Sequence, residues 1–512
     1  MFEKLKINNR SAYFYLFILF WSVYTLTGAA IVGYTDVGNR RIEVLESIFS
    51  NFDVNIQPGR GVKGVDGREY SPFFIGSVFV AVPFYAMAKM AHISPFDTIS
   101  VMNRLAATGT AILVFAFIRS LGYSKRTSIY VSIIYGLGSI AWYYSKDPGD
   151  HSLETFFVLF SVYLMYKHFS GQEFYYFIFS LITFGFAFIT RASSILVLPS
   201  LFVLSFGQMW SKNSFSIETG LKKLATFILV FMPFLILIFW YNFYRFGSIF
   251  ETGHSLMGER FGIDFFSGTP ILTGIKGFLV SPGKGMFFYS PVAILFFFSV
   301  KPFFKRNYFL TLSFLLIIVF YLMFMSKNIF WHGDWSWGPR YLFVITPYLI
   351  IPIASLIESE IWAKKKFMRY FVFLLFLISV GIQLVSVSIW NYNYFYSLHI
   401  DEKVDFVVAK GEGAVSIYEP PTENYFYWSR SPIIYNFKNI VKIIKDISQG
   451  KIIEKYSEKT FLKKIRNDRR YNLLDFWWFE MYIKNNNRLV LLVPMFFLSL
   501  AGYSFFILCK IK

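Results

Sequence analysis

Residues 72–91 read PFFIGSVFVAVPFYAMAKMA, and the side of the membrane given to every later loop depends on them. With Lys89 as its one charge, the run is long and apolar enough to cross roughly 30 Å of hydrocarbon as a helix. Similar runs lie on both sides of it, at about 11–33, 96–119, 128–145, 152–168, 173–190, 193–210, 222–241, 289–304, 308–326, 341–357, 368–389 and 488–510. Between them the basic residues cluster: Arg119, Lys125 and Arg126; Lys212, Lys222 and Lys223; Lys301, Lys305 and Arg306; Lys364, Lys365, Lys366 and Arg369; Lys510 and Lys512. If 72–91 does not cross, all of these share the cytoplasmic side with Lys4, Lys6 and Arg10. The turns Lys146–His151 and Ser326–Arg340 then face outward, which is the charge asymmetry that sets membrane orientation. If it crosses, every later cluster changes sides. The run is therefore expected to re-enter or lie on the surface and return to the outer face, opened by Pro72 and kinked at Pro83.

The composition agrees with a membrane solvent. Of 512 residues, 55% are hydrophobic and only 16% charged, too few to cover a water-exposed globule of this size. Mean hydropathy is +0.48. Strict alternation of a barrel strand is absent, and backbone inside lipid must satisfy its own hydrogen bonds, so helices are expected. The fold predicted is all-α and polytopic, with about twelve transmembrane helices (range about 11–13). Interfacial helices are expected in the first outer loop, and an extracytoplasmic segment before the last helix. A net charge of +19 sits in short topogenic clusters and argues for headgroup contact, not nucleic acid. Cys509 is the sole cysteine, so no intrachain disulfide forms. The basic start ahead of the first apolar run, without a convincing small-residue cleavage site, reads as a retained first helix.

The expected organisation is a transmembrane module over 1–389, with long outer loops at 34–95 and 242–288. An aromatic, basic extracytoplasmic segment follows at 390–487, and the last helix with its cytoplasmic tail at 488–512. In the first loop, Ile42, Leu45, Ile48 and Phe49 fall on one face of a helix, with Arg41, Glu43 and Glu46 largely elsewhere, the pattern of a helix lying in the interface plane. Asp36 stands just before it. A carboxylate at that boundary either caps the helix or takes a proton from an approaching hydroxyl. Lys63 and Arg68 bring positive charge to the start of the 72–91 helix, where a phosphate or lipid headgroups would sit.

Three outer turns concentrate the remaining chemistry. Asp147, Asp150, His151 and Glu154 fall within eight residues; the last three either partly converge on a cation or form a polar turn capping the next helix. Arg191 between two apolar runs is costly unless it meets an anion or a carboxylate. The stretch Trp331-His332-Gly333-Asp334-Trp335-Ser336-Trp337-Gly338-Pro339-Arg340-Tyr341 adds His332, Asp334 and Arg340 to a tryptophan belt, and Arg340 is the best single candidate for gripping a phosphate.

Together these pieces resemble the GT-C superfamily of glycosyltransferases that use polyprenyl-phosphate sugars, in particular the bacterial family 39 and aminoarabinose-transferase-like members. The resemblance rests on Asp36 after the first helix and on Gly67-Arg68-Glu69-Tyr70-Ser71 running into Phe79–Tyr85. It rests further on Phe246-Gly247-Ser248 with Gly277–Gly285, which includes Lys284, and on Trp335–Leu342. Ser431-Pro432 and Asp475-Phe476-Trp477-Trp478 also look like uncharacterised bacterial members. Such enzymes place a catalytic aspartate in the first outer loop, which implies Asp36 here, although Val37 stands where members often carry a second acid. A further acid of the second outer loop would be Asp147 or Asp150.

The resemblance implies an inverting glycosyltransferase of the cell inner membrane, working at its extracytoplasmic face. The donor would be a polyprenyl-phosphate sugar and the acceptor a glycan, lipid or protein. Asp36 would be the base. Arg340, Arg191, Lys63, Arg68, Tyr70, Asp147, Asp150, His151, His332, Asp334 and Lys284 would be the substrate-binding candidates. No metal ligand set is assigned, though a divalent cation remains open. Competing readings are a lipid-linked sugar flippase and an oligosaccharide polymerase or ligase. A transporter tends to carry polar groups near the midplane in two related halves. Here the charges gather on one face.

Overall fold

The computed structural model describes residues 9–29, 36–211, 216–261, 264–266, 268–333, 336–391, 393–394, 398, 407–410, 416–419, 422–450, 474–485 and 487–511. The chain is a multi-pass membrane protein built almost wholly of helices. Six are long and apolar enough to cross a membrane by length and composition: Pro95–Ser120, Ile217–Phe246, Tyr308–Ser326, Arg340–Ile357, Lys366–Ser388 and Arg488–Cys509. Each of the other runs read from the sequence also coincides with a helix or a chain of helical segments. These are α1 (Asn9–Leu26), α5 with α6 (Lys125–Gly138, Ala141–Tyr144), α7 (His151–Phe169), α8 (Tyr175–Thr190), the 3-10 turn Ala192–Val197 with α9 (Leu198–Ser211), and the segments from Met286 to Arg306.

Local chemistry sets the breaks. Helix α1 ends at Leu26, short of the expected 33. There the indole N–H groups of Trp477 and Trp478 donate to the carbonyls of Thr25 (2.7 Å) and Leu26 (2.8 Å), supplying partners to carbonyls a helix end leaves open. Helix α10 (Ile217–Phe246) overruns its expected bounds because Ser216 caps its start and Gly247, at φ 72°, takes the left-handed position after its end. The run 340–357 is broken into a 3-10 turn (Arg340–Ile345) and two short helices, with Pro347 and Pro352 at the starts of the second and third pieces.

The 72–91 stretch forms α3 (Gly76–Ala91), with Pro83 inside it on its exposed side. A side chain at Gly76 would strike the carbonyl carbon of Ile189 at 2.6 Å, so the start of α3 lies tight against the end of α8. One stripe of α3, with Val78, Ala81 and Tyr85, joins a core with Ile42 and Leu45 of α2 (Asp36–Asn51) and Ile99 and Met102 of α4 (Pro95–Ser120). Leu153 at the start of α7 and Ile238 and Tyr241 late in α10 complete it. Helix α3 closes on His92 at φ 54° and feeds α4 within four residues. Two turns into α4, Asn103 donates to the carbonyls of Asp147 and of Gly149 (2.8 Å) in the turn before α7. At the far end of α4, Arg306 donates to Leu121 O (3.0 Å) and lies 4.2 Å over the Tyr123 ring. Helix α3 thus starts against the end of α8 and leads directly into the start of α4.

The opposite end collects the basic clusters: Arg119, Lys125, Arg126, Lys305, Arg306, Lys364 and Arg369 surround the junctions there, while Lys212 and Lys512 lie outside the described residues. A small antiparallel sheet, β1 (Asn55–Ile56), β3 (Glu69–Tyr70) and β2 (Val62–Lys63) in that order, folds the first long loop.

Several described parts of 390–487 are tied into the bundle. Tyr425 is wholly buried in the main core. Gly283 N donates to Tyr425 O (2.9 Å), and a side chain at Gly283 would meet Tyr425 Cα at 2.7 Å. Lys146 Nζ pairs with Asp475 Oδ2 at 2.8 Å, with both side chains buried. The helix Pro432–Ser448 packs on α11 (Lys366–Ser388), and the last helix, Leu492–Cys509, packs along α1.

Candidate functional site

At the end of the bundle away from the basic clusters, four elements bring ionisable side chains together. The turn between α6 and α7 is shaped by Asp147, whose Oδ1 accepts from Gly149 N at 2.8 Å, an aspartate turn that leaves the rest of the carboxyl available. Asp150, three residues on, forms a buried ion pair with Arg41 from α2. Among the described residues, Nε and Nη1 of Arg41 have no hydrogen-bond acceptor. One turn into α7, Glu154 meets Arg191 Nε at 3.0 Å and accepts from Ser193 Oγ (2.8 Å) and Tyr321 OH (3.0 Å). His151 Nδ1 is 3.9 Å from the same carboxylate.

Aromatic rings line this cluster. The guanidinium of Arg340 lies 4.8 Å from the Tyr341 ring and donates to its hydroxyl at 2.8 Å, and Arg191 approaches the same ring at 5.9 Å. The His151 ring sits 6.1 Å from Tyr341 and 5.7 Å from Tyr144. Tyr144 OH in turn donates to Trp337 O at 2.8 Å, fixing the loop that delivers Arg340.

Arg41, Arg191 and Arg340 therefore face Asp147, Asp150 and Glu154, in a region where each buried charge costs several kcal/mol of desolvation. Burial pushes the Asp147 carboxyl above the ordinary carboxylate range, and Gly149 N–H, Arg340 and Arg41 pull it back only in part. Ionisable groups of this kind inside a membrane protein mark a working site by default.

The other predicted residues divide clearly. Lys284 is buried; its Nζ donates to Ser336 O at 2.6 Å and lies 5.3 Å from the Tyr425 ring. His332 stacks on Tyr425 with centroids 4.8 Å apart. These two brace the 331–340 loop against Tyr425. Lys63 and Arg68 are exposed on the small sheet. Arg68 binds Asp53 and Asp66, and Tyr70, buried, donates to Asp66 at 2.8 Å. Carboxylates in their own loop hold Arg68 and Tyr70, so neither joins the cluster. Asp36 starts α2 by its backbone, but its side chain and all of Asp334 lie outside the described residues. Among the described residues no three His, Cys, Asp or Glu side chains converge on one point, and the acids of the suggested cation set are engaged by arginines.

Sequence reasoning set Arg41 aside as one of the polar residues off the apolar face of an interfacial helix. Arg41 is 2% exposed, and Ile42, Val44 and Leu45 beside it are also buried, so α2 is covered on more than one face. Tyr321 was missed because one hydroxyl in the run YFLTLSFLLIIVFYLMFMS does not disturb its apolar character.

No family model and no curated protein matches the chain. Among solved structures it is similar to ArnT from Cupriavidus metallidurans bound to undecaprenyl phosphate, with a TM-score of 0.49 and 12% identity, over 97% of this chain and 76% of that one. It is also similar to the apo oligosaccharyltransferase of Archaeoglobus fulgidus (TM-score 0.46, 10% identity, 83% and 64% of the two chains). A third is the archaeal oligosaccharyltransferase AglB from the same organism, in complex with an inhibitory peptide and a dolichol-phosphate (0.45, 9%, 82% and 63%). The chain spans less than two thirds of the length of the oligosaccharyltransferase chains.

Proposed function

We propose that the protein is an inverting membrane glycosyltransferase that moves a sugar from a polyprenyl-phosphate donor to an acceptor. The observation that supports this reading best is the cluster of buried Arg41 and half-buried Arg191 and Arg340 beside Asp147, Asp150, His151 and Glu154, at the end of a multi-pass bundle remote from its basic clusters. By the charge rule that end faces the outside of a cell inner membrane.

In this mechanism the lipid tail of the donor lies among the helices and its phosphate meets the arginines. Arg340 is the principal ligand, because a guanidinium binds two phosphate oxygens at once. The open N–H groups of Arg41 provide a second contact. Asp36, five residues before Arg41 on α2, takes the proton of the acceptor hydroxyl or amine. The acceptor atom bonds to the anomeric carbon as the carbon–oxygen bond to the phosphate breaks, and the bonding pair leaves with the lipid phosphate. Attack from the face opposite the phosphate inverts the configuration. Preorganised cations stabilise charge on the leaving phosphate, and held geometry supplies the rest of the acceleration.

The test gives purified protein in lipid nanodiscs a radiolabelled polyprenyl-phosphate sugar and a mixed pool of acceptors. Release of free lipid phosphate, lost in Asp36→Asn, is the expected result. Cleavage that survives Asp36→Asn and Asp36→Ala overturns the base. Movement of the intact donor between leaflets without cleavage makes the protein a flippase. Turnover of a lipid-pyrophosphate oligosaccharide alone makes it a polymerase or ligase.

A further inference from the structure

The helix Pro432–Ser448 has three faces, and the arginine cluster accounts for none of them. One face, with Tyr435, Asn436, Asn439 and Ile443, is buried against the bundle. Ile443 packs with Ile389, just beyond the end of α11, and with Ile440, Ile447, Leu474 and Ile483 around them. A second face carries Phe437, Val441 and Ile444, which are 57%, 51% and 55% exposed. The third carries the exposed Lys438, Lys442 and Lys445. At about 100° per residue, the apolar stripe covers about 60° of the circumference and the lysine stripe is centred about 100° from it. Asp446 is the single acid in the helix.

We propose that this helix is an anchor for the anionic lipid surface at the site end of the bundle. Phe437, Val441 and Ile444 enter the boundary between headgroups and acyl chains. Lys438, Lys442 and Lys445 reach back to the lipid phosphates. Three observations select a lipid surface over a protein partner. The helix packs where α11 ends, and a membrane-spanning helix ends at the bilayer boundary. Helix α11 itself is exposed along most of its length, with Phe373, Leu377 and Leu384 among its open side chains, so the two elements share one apolar surround. The angle between the apolar and basic stripes suits a helix lying in the interface plane, where stems of lysine run along apolar surface and the ammonium stays wet. The attraction of these lysines to an anionic surface is electrostatic, so salt weakens it.

The anchor connects to the candidate site through its first turn. Ser431 Oγ donates to Pro282 O at 2.8 Å, and six residues earlier Tyr425 stacks on His332. The lipid surface thereby fixes the outer end of the strap that braces the 331–340 loop. The anchor itself does not depend on the reaction assigned above.

The experiment uses the full chain with Cys509→Ser and Val441→Cys carrying an environment-sensitive fluorophore. It is placed in nanodiscs of phosphatidylcholine alone or of equal parts phosphatidylcholine and phosphatidylglycerol. The expected result is quenching by nitroxide set high on the lipid acyl chain and protection from aqueous iodide, both greater with phosphatidylglycerol. The gain is lost at high salt and in the triple variant Lys438→Glu, Lys442→Glu, Lys445→Glu. Melting of that variant in neutral detergent is expected to match the parent, which separates loss of the anchor from loss of the fold. Equal iodide quenching in both lipids places the stripe in water and overturns the proposal. Protection from both quenchers, with cross-linking between copies at position 441, overturns it in favour of a protein interface. Any loss of transfer activity without these changes in quenching speaks to the reaction and not to the anchor.

Discussion

The pair Lys146–Asp475 links the distal segment to the turn that carries Asp147, and removing one partner should be costly. Nζ and Oδ2 lie 2.8 Å apart, the two side chains are 5% and 3% exposed, and Nζ also donates to Val387 O at 2.9 Å. Asp475→Leu leaves a buried ammonium facing a carbonyl in place of a carboxylate. Breaking a buried pair in this way costs about 3–5 kcal/mol, whereas replacing both partners with apolar groups of similar volume is often neutral. Asp475→Leu should therefore melt well below the parent in detergent, and Lys146→Met with Asp475→Leu should recover most of that loss. Asp475→Asn, which keeps an acceptor but not the charge, should fall between. Thermal melting followed by tryptophan fluorescence, in one detergent at fixed pH and salt, gives the comparison. Transfer rate per folded molecule should stay depressed in the double variant, because Lys146 also sets the turn that presents Asp147. Asp475→Leu melting with the parent, or a double variant no more stable than the single, would refute the reasoning.

Arg340→Lys removes two-point phosphate contact while keeping the charge and should lower kcat/KM for lipid-phosphate release by about tenfold to a hundredfold, or about 1.4–2.7 kcal/mol; unchanged kinetics would remove Arg340 from the phosphate site. Arg41→Leu strands the buried Asp150 and should cost about 3–5 kcal/mol, whereas Arg41→Leu with Asp150→Leu should restore melting but not activity. His254, on the helix His254–Phe261 in the loop at the site end, is pushed down to about 4 by burial and by Arg191 and Arg245. The unfolded chain takes up that proton near pH 6.5 and the folded one does not. Stability is therefore full above about pH 6.5 and falls as pH drops toward 4, by up to about 3 kcal/mol. His254→Asn should flatten that part of the melting profile, and an unchanged slope would assign it to other groups.

The placement of helices was legible because lipid demands long apolar runs and a charge asymmetry, and both are one-dimensional properties. Arg340, Arg191, Asp147, Asp150 and His151 were legible as candidates because charge between apolar runs is expensive and needs a reason. Lys63 and Arg68 looked equivalent on that criterion. They differ only because Arg68 folds back on Asp53 and Asp66 and Lys63 stays on the exposed edge of the small sheet. Arg41 looked like a solvated residue because its neighbours in sequence give no hint that Asp150, more than a hundred positions away, covers it.

What the chain's order of residues determined by itself is the membrane architecture and the end of the bundle at which its scarce charges gather, since hydropathy and topogenic charge act on each segment nearly independently. Which of those charges meet was decided only when α2, α7, α8 and the 331–340 loop packed together. An ion pair depends on separations of a few ångströms between segments far apart along the chain, and no local pattern encodes such a distance. The same packing buried Tyr425 and Asp475, turning a polar stretch into part of the structure around the site.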